Sequence, residues 1–192
     1  MESKKEMRAD GTQPTIDNRK VSGYACVFDS FSQDLGGFIE KIDPHALDDV
    51  VGRSDVLCLL NHDESRGLLA RCKDGKGSLA LTIDERGLRY EFESPHTSIG
   101  DELIEGIKRG DITASSFAFC VAEDEWVKQN DGTYIRTITR IAELFDVSPV
   151  YHPAYTATSV ELAKRSLDNF KKEEQKAKLK EYYGNLFNKL TN

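Results

Sequence analysis

The sequence predicts a mainly β fold with helices, an antiparallel barrel or sandwich decorated by helical segments. Three observations carry this reading. Short β-branched and aromatic runs recur between turn residues from Val21 to Glu93. Two longer strand candidates, Ile112–Val127 and Tyr134–Val150, flank Asn130-Asp131-Gly132, a strong hairpin signal. Helical spacing is confined to a central stretch and a tail, with no regular alternation of strand and helix.

Residues 1–18 show no periodicity and read as a flexible lead-in. Strand character begins at Val21–Phe28 and returns at Gly37–Ile42. Asp43-Pro44 then opens a short helix over His45–Val51, because Asp caps a helix and Pro suits its first turn. Asp55–Leu60 is an apolar run ending at Asn61-His62-Asp63, the pattern of a buried strand. Gly67–Cys72, Ser78–Asp84 and Gly87–Glu93 follow as short strands, the last two joined tightly through Glu85-Arg86-Gly87. In Thr97–Arg109 the apolar residues Ile99, Leu103, Ile104 and Ile107 fall at helical spacing, and Gly110 stops the helix. The two long strands come next. Beyond them, Leu179, Tyr182, Tyr183, Leu186, Phe187 and Leu190 share one helical face, after a mostly charged stretch, Lys171–Lys178. The division is therefore a lead-in at 1–18, a β domain at 19–163 and a charged helical tail at 164–192. The tail reads as a solvated spacer leading to a docking face, or as a face that covers the β domain.

The net charge of −7 is unevenly spread. Residues 1–163 hold 18 basic and 29 acidic side chains, a balance of −11, whereas residues 164–192 hold 8 and 4, a balance of +4. An acidic body argues against nucleic acid as the main ligand, since phosphate binding needs clustered Lys and Arg. No apolar run approaches the ~18 residues of a membrane-spanning helix. The first residues lack the apolar centre of a secretory signal, so the four cysteines are expected as reduced thiols in a cytosol-like compartment. Their spacing makes no metal pattern with the histidines.

Chemistry is best sought in Ile112–Phe119. On a strand, Ser115, Phe117 and Phe119 take one face, and Ser116, Ala118 and Cys120 the other. The Phe face fills a core. The small-residue face leaves room for a packed helix or for a peptide substrate. A serine there becomes a nucleophile only if a base removes its proton. Four histidines are available: His45, His62, His96 and His152. His62 stands where an apolar strand ends, a rigid support with an open rim. Glu143 and Asp146, three residues apart in the last long strand, face opposite sides, so at most one can orient an imidazole on a given face. Ser148 shares the face of Asp146.

Taken in order, these blocks resemble the prohead maturation proteases of tailed bacteriophages and, through them, the herpesvirus assemblins. Gly23-Tyr24-Ala25-Cys26-Val27-Phe28 is similar to the family's opening strand. Ile42-Asp43-Pro44-His45-Ala46-Leu47 is similar to its proline turn, and Leu60-Asn61-His62-Asp63 to the block that holds the catalytic histidine. Gly87-Leu88-Arg89-Tyr90 and Gly110-Asp111-Ile112 fit later landmarks. Ser115-Ser116-Phe117-Ala118-Phe119 resembles the nucleophile block, and Leu144–Val150 with Pro153-Ala154-Tyr155 and Thr158 the closing signature. The likeness spans residues 20–163.

The resemblance implies an assemblin-type antiparallel β-barrel and a serine endopeptidase. Its nucleophile would be Ser116, its base His62 and its third member Asp146, where the family usually has glutamate. His152 is the alternative, since assemblins use a second histidine. No cofactor or metal is implied. The implied substrates are the capsid protein's scaffolding segment, or a separate scaffold, and the protease itself, cut inside the assembling prohead in the host cytoplasm. Self-association is compatible with that setting. Two other classes compete: an assembly protein that keeps the fold without activity, and a binding barrel unrelated to phage.

Overall fold

The computed structural model describes residues 5–9, 12–152 and 157–190, without the side chains of 157–159 and 188–190. Pro153-Ala154-Tyr155 and the side chains of Thr158 and Leu190 therefore lie outside the described residues. In chain order the strands are β1 (Glu6–Arg8), β2 (Thr15–Asp17), β3 (Lys20–Val27), β4 (Phe38–Ile42), β5 (Asp55–Cys58), β6 (Ala70–Lys73), β7 (Lys76–Gly77), β8 (Leu79–Ile83), β9 (Gly87–Glu93), β10 (Ala114–Lys128) and β11 (Tyr134–Val150). The helices are α1 (Ser98–Arg109) and α2 (Ala157–Leu190), with a 3-10 turn at Glu64–Arg66.

Two open sheets form. The seven-stranded sheet runs β1-β10-β11-β5-β6-β7, with β4 also pairing β11, and the four-stranded sheet runs β2-β3-β9-β8. One apolar cluster joins them: Val21, Leu88 and Phe92 of the smaller sheet with Phe117, Phe119 and Leu144 of the larger, and Leu103 and Ile107 of α1. α1 keeps its predicted ends. Thr97 caps it by accepting from the Gly100 amide at 3.4 Å, and Gly110 closes it in the left-handed region at φ 78°. Glycine reaches that conformation at little steric cost.

Four expectations are corrected. First, the expected all-antiparallel barrel is not closed: the larger sheet ends at β1 and β7, and β4 and β5 pair with β11 in parallel. Pairing between strands distant in sequence leaves no mark in local periodicity, so neither feature was readable. Second, His45–Val51 forms consecutive turns rather than a helix. Its bonds run from Ala46 to Asp43, Asp48 to His45 and Val50 to Leu47, all three residues apart. Asp43 still caps, accepting from the His45 amide at 2.8 Å. Third, residues 1–18 carry β1 and β2. Strands of three residues are too short to show a period. Fourth, the helical tail starts earlier. α2 begins at Ala157, and its first turns pack on the domain, where Ala163 and Leu167 are buried with Leu35, Phe38 and Trp126. The Trp126 indole donates to Ser166 Oγ at 3.0 Å. Further along, Leu179, Tyr182, Tyr183, Leu186 and Phe187 are exposed.

Candidate active site

Strand pairing assembles one face of the site. Ser116 lies opposite Ser148, and Ala118 opposite Asp146, across the antiparallel β10–β11 ladder. Directly paired residues share a face, so Ser116, Ala118, Asp146 and Ser148 look the same way. Phe117 and Phe119 point to the core and stack at 4.5 Å between ring centroids. Ser115 also turns inward, 2.8 Å from the Tyr90 hydroxyl and donating to the Thr12 carbonyl at 3.0 Å. The alternation read from the sequence thus separates the two serines.

His62 arrives from the neighbouring strand. β5 runs parallel to β11, with Leu57 opposite Asp146 and Cys58 opposite Val147. After it, the Leu59 and Asn61 amides donate to the Val147 and Pro149 carbonyls. Asn61 and His62 then both take left-handed backbone, φ 56° and 61°. For a histidine this conformation is uncommon and costs energy. It turns the chain sharply at the strand end and sends the imidazole back over β11 and β10.

The result is a relay of short contacts. His62 Nδ1 is 2.5 Å from Asp146 Oδ1, and His62 Nε2 is 2.7 Å from Ser116 Oγ. Ser116 and Asp146 are each 1% exposed, while the His62 side chain keeps 17%. The Ser148 hydroxyl donates to Asp146 Oδ1 at 2.8 Å. The Lys5 ammonium lies 3.1 Å from Asp146 Oδ2. That oxygen has no aligned hydrogen bond, so Lys5 acts on it through charge. Burial pushes the Asp146 carboxyl up. The hydrogen bond and charge of His62, then Lys5 and Ser148, outweigh it and hold the group below the ordinary carboxylate value. Burial, and then the charge of Asp146, push the Cys58 thiol well up, which keeps it protonated beside the relay.

The other sequence candidates separate cleanly. His152 is exposed and lines the same hollow as His62, Ser116, Asn61 and Val150, but the contact at His62 Nδ1 is taken by Asp146. His45 is exposed and bonded to Asp48 at 2.9 Å. His96 is exposed ahead of α1. Glu143 is exposed and pairs with Cys120; a register shift between it and Asp146 breaks the simple alternation expected there. Sequence reasoning missed Lys5 and the Arg8 carbonyl, to which Ser116 Oγ donates at 2.8 Å. Both belong to the lead-in, which gave no signal. Ser148 was placed on the right face, but only the geometry shows its bond to Asp146.

A serine hydroxyl held against an imidazole whose far nitrogen meets a buried carboxylate is suited to acyl transfer. The comparisons bear on which protein carries it. No curated protein matches the chain. Among solved structures, the bacteriophage T4 capsid assembly protease is similar at 12% identity, covering 80% of this chain and 100% of that one, with a TM-score of 0.45. The family match is broader: residues 4–173 fit the Caudovirus prohead serine protease family, and the chain belongs to that family.

Proposed function

We propose that the chain is a serine endopeptidase in which Ser116 is the nucleophile, His62 the general base and Asp146 the third member. The observation that carries this is the unbroken relay from Asp146 through His62 to Ser116, at 2.5 and 2.7 Å. His62 Nε2 takes the Ser116 proton as Oγ bonds to the scissile carbonyl carbon. The carbon–nitrogen bond then breaks, and the same proton passes to the leaving amine. Water, deprotonated by His62, releases the acyl group and restores Ser116. Asp146 fixes the tautomer with Nδ1 protonated and balances the imidazolium charge. Ser148, which donates to Asp146 Oδ1, keeps that carboxylate aimed. Asp146 is favoured over His152 as third member because it, and not His152, meets Nδ1.

Family membership supports a substrate among the proteins of an assembling phage head: the scaffolding segment of the capsid protein or a separate scaffold, and the protease itself. The exposed part of α2 fits a docking or self-cleaved segment, since its apolar face projects beyond the packed first turns. Co-expression with the capsid protein tests the reading. The native chain should trim its partner, and Ser116→Ala should abolish trimming, a loss of at least ~1,000-fold, with thermal stability retained. Trimming by Ser116→Ala would overturn Ser116 as nucleophile, and no trimming by the native chain would make it an assembly protein without catalysis.

A further inference from the structure

The segment Lys5–Ala9 lies along the strand that holds Ser116. β1 runs antiparallel to β10, with Arg8 opposite Phe117 and Met7 opposite Ala118. It occupies the edge of the seven-stranded sheet, directly beside the strand that holds Ser116. Extended peptides bind sheet edges in this way, through main-chain bonds along the edge and side-chain pockets on alternate residues. The main-chain carbonyl that meets Ser116 Oγ, at 2.8 Å, is that of Arg8. Ala9, on the other side of that peptide bond, lines the hollow with His62 and Ser116.

The resident strand takes the hydrogen bond of the Ser116 hydroxyl on a carbonyl oxygen. A hydroxyl has one proton. When Ser116 gives it to the Arg8 oxygen, it cannot at the same time give it to His62 Nε2, 2.7 Å away. A donor to a carbonyl oxygen also sits near the carbonyl plane, whereas attack on the carbon comes from above that plane. The lane along the sheet edge beside Ser116 is filled, and the hydroxyl is spent on a carbonyl oxygen.

The side chains show what the lane selects. Arg8 is fully buried, and its guanidinium donates to Glu40 Oε2 at 3.0 Å and to Glu6 Oε2 at 2.5 Å. Glu6 belongs to the same strand and leaves with it. Glu40 stays, 3% exposed, and so do Arg136 and Asp124. Two carboxylates then face one guanidinium. A buried charge left without its partner is costly, so the emptied slot favours a cation.

We propose that Lys5–Ala9 is a built-in pseudosubstrate that fills the substrate lane, and that Glu40 selects a basic side chain at the residue whose carbonyl meets Ser116. This rests on the protease reading above. The test uses the full-length chain in three forms. The first is native. The second is Arg8→Glu, which sets an acid against Glu40 and expels the strand. The third is Met7→Cys with Ala118→Cys, a cross-strand pair that locks the strand when oxidised. Two rates are measured: labelling of Ser116 by an alkyl fluorophosphonate, read by intact mass, and cleavage of a quenched peptide containing Lys-Glu-Met-Arg-Ala. Arg8→Glu should raise both at least tenfold over native. The oxidised lock should lose both at least tenfold and regain them with reductant. Replacing the peptide's Arg by Gln should slow cleavage at least tenfold, and Glu40→Gln should shrink that ratio. If Arg8→Glu fails to fold by circular dichroism, the lock alone decides. Equal labelling and cleavage in all forms overturns this proposal and leaves the protease reading standing. Labelling in none of the forms overturns the protease reading, and this proposal with it.

Discussion

The β10–β11 hairpin is one continuous pairing with two unlike halves. Near the site, every residue of Ala114–Cys120 is buried, and so are Leu144 and Asp146–Val150 opposite them. Toward the turn, most of Val121–Lys128 is exposed or half-buried, and β11 alternates. Register shifts separate the halves, falling between Ala118 and Asp124. Bulges of this kind bend a strand and re-aim its side chains. The turn half is stabilised like an ordinary ribbon, by cross-strand pairs and by Trp126 packing on α2. The site half is enclosed on both faces, so its polar groups need partners inside the protein. The partners are the relay and the hydroxyl bonds of Ser115 and Ser148. Enclosure and chemistry therefore go together.

The comparison can be broken in graded steps. The largest effect is on turnover. His62→Gln should lower capsid-protein cleavage by at least ~1,000-fold, whereas His152→Gln should retain it within about tenfold, read by gel densitometry of the trimmed product. Next, Leu144→Ala in the enclosed half should destabilise the fold by about 2–5 kcal/mol. Val127→Ala in the turn half, where the side chain is 53% exposed, should stay within ~0.5 kcal/mol in the same urea titration. Ser148→Ala removes a hydrogen bond to a buried carboxylate and should cost about 1.5–3 kcal/mol, again by urea midpoint. The smallest effect is the acid limb. The folded-state value of Asp146 is depressed, so its contribution is complete above the ordinary value near ~4 and fades as pH falls through the lower folded value. Native protein should lose stability as pH drops below ~4, and Asp146→Asn should show a shallower acid limb in thermal melts.

The enclosed half also marks how far the sequence carries. α1 was legible at both ends because Thr97 and Gly110 are local signals. Tyr134–Val150 was legible because long alternation and an Asn-Asp-Gly turn are local too. The faces of Ser115 and Ser116 followed from a period of two. The choice of His62 and Asp146 came from the resemblance, since nothing local links positions 62, 116 and 146. Their meeting depends on β5 lying parallel to β11 and on two left-handed residues at its end. Asn and His enter that conformation more often than most residues, but two in a row do not by themselves mark a turn. β1 escaped because three residues carry no period, although its Arg8 is among the most buried side chains of the chain.

α2 has a hydrodynamic consequence. The helix runs from Ala157 to Leu190, 34 residues, or roughly 50 Å at ~1.5 Å per residue. Packing engages it through Phe170 and continues to Lys171, whose ammonium lies over the Tyr134 ring, and the half-buried Glu174. The stretch beyond is then an outrigger of about 25 Å by the same rise. Drag grows with the longest dimension, so a single chain tumbles more slowly and leaves a gel-filtration column earlier than a sphere of 21.6 kDa. A mass calibrated on globular standards will read high, and light scattering will assign the monomer its true weight.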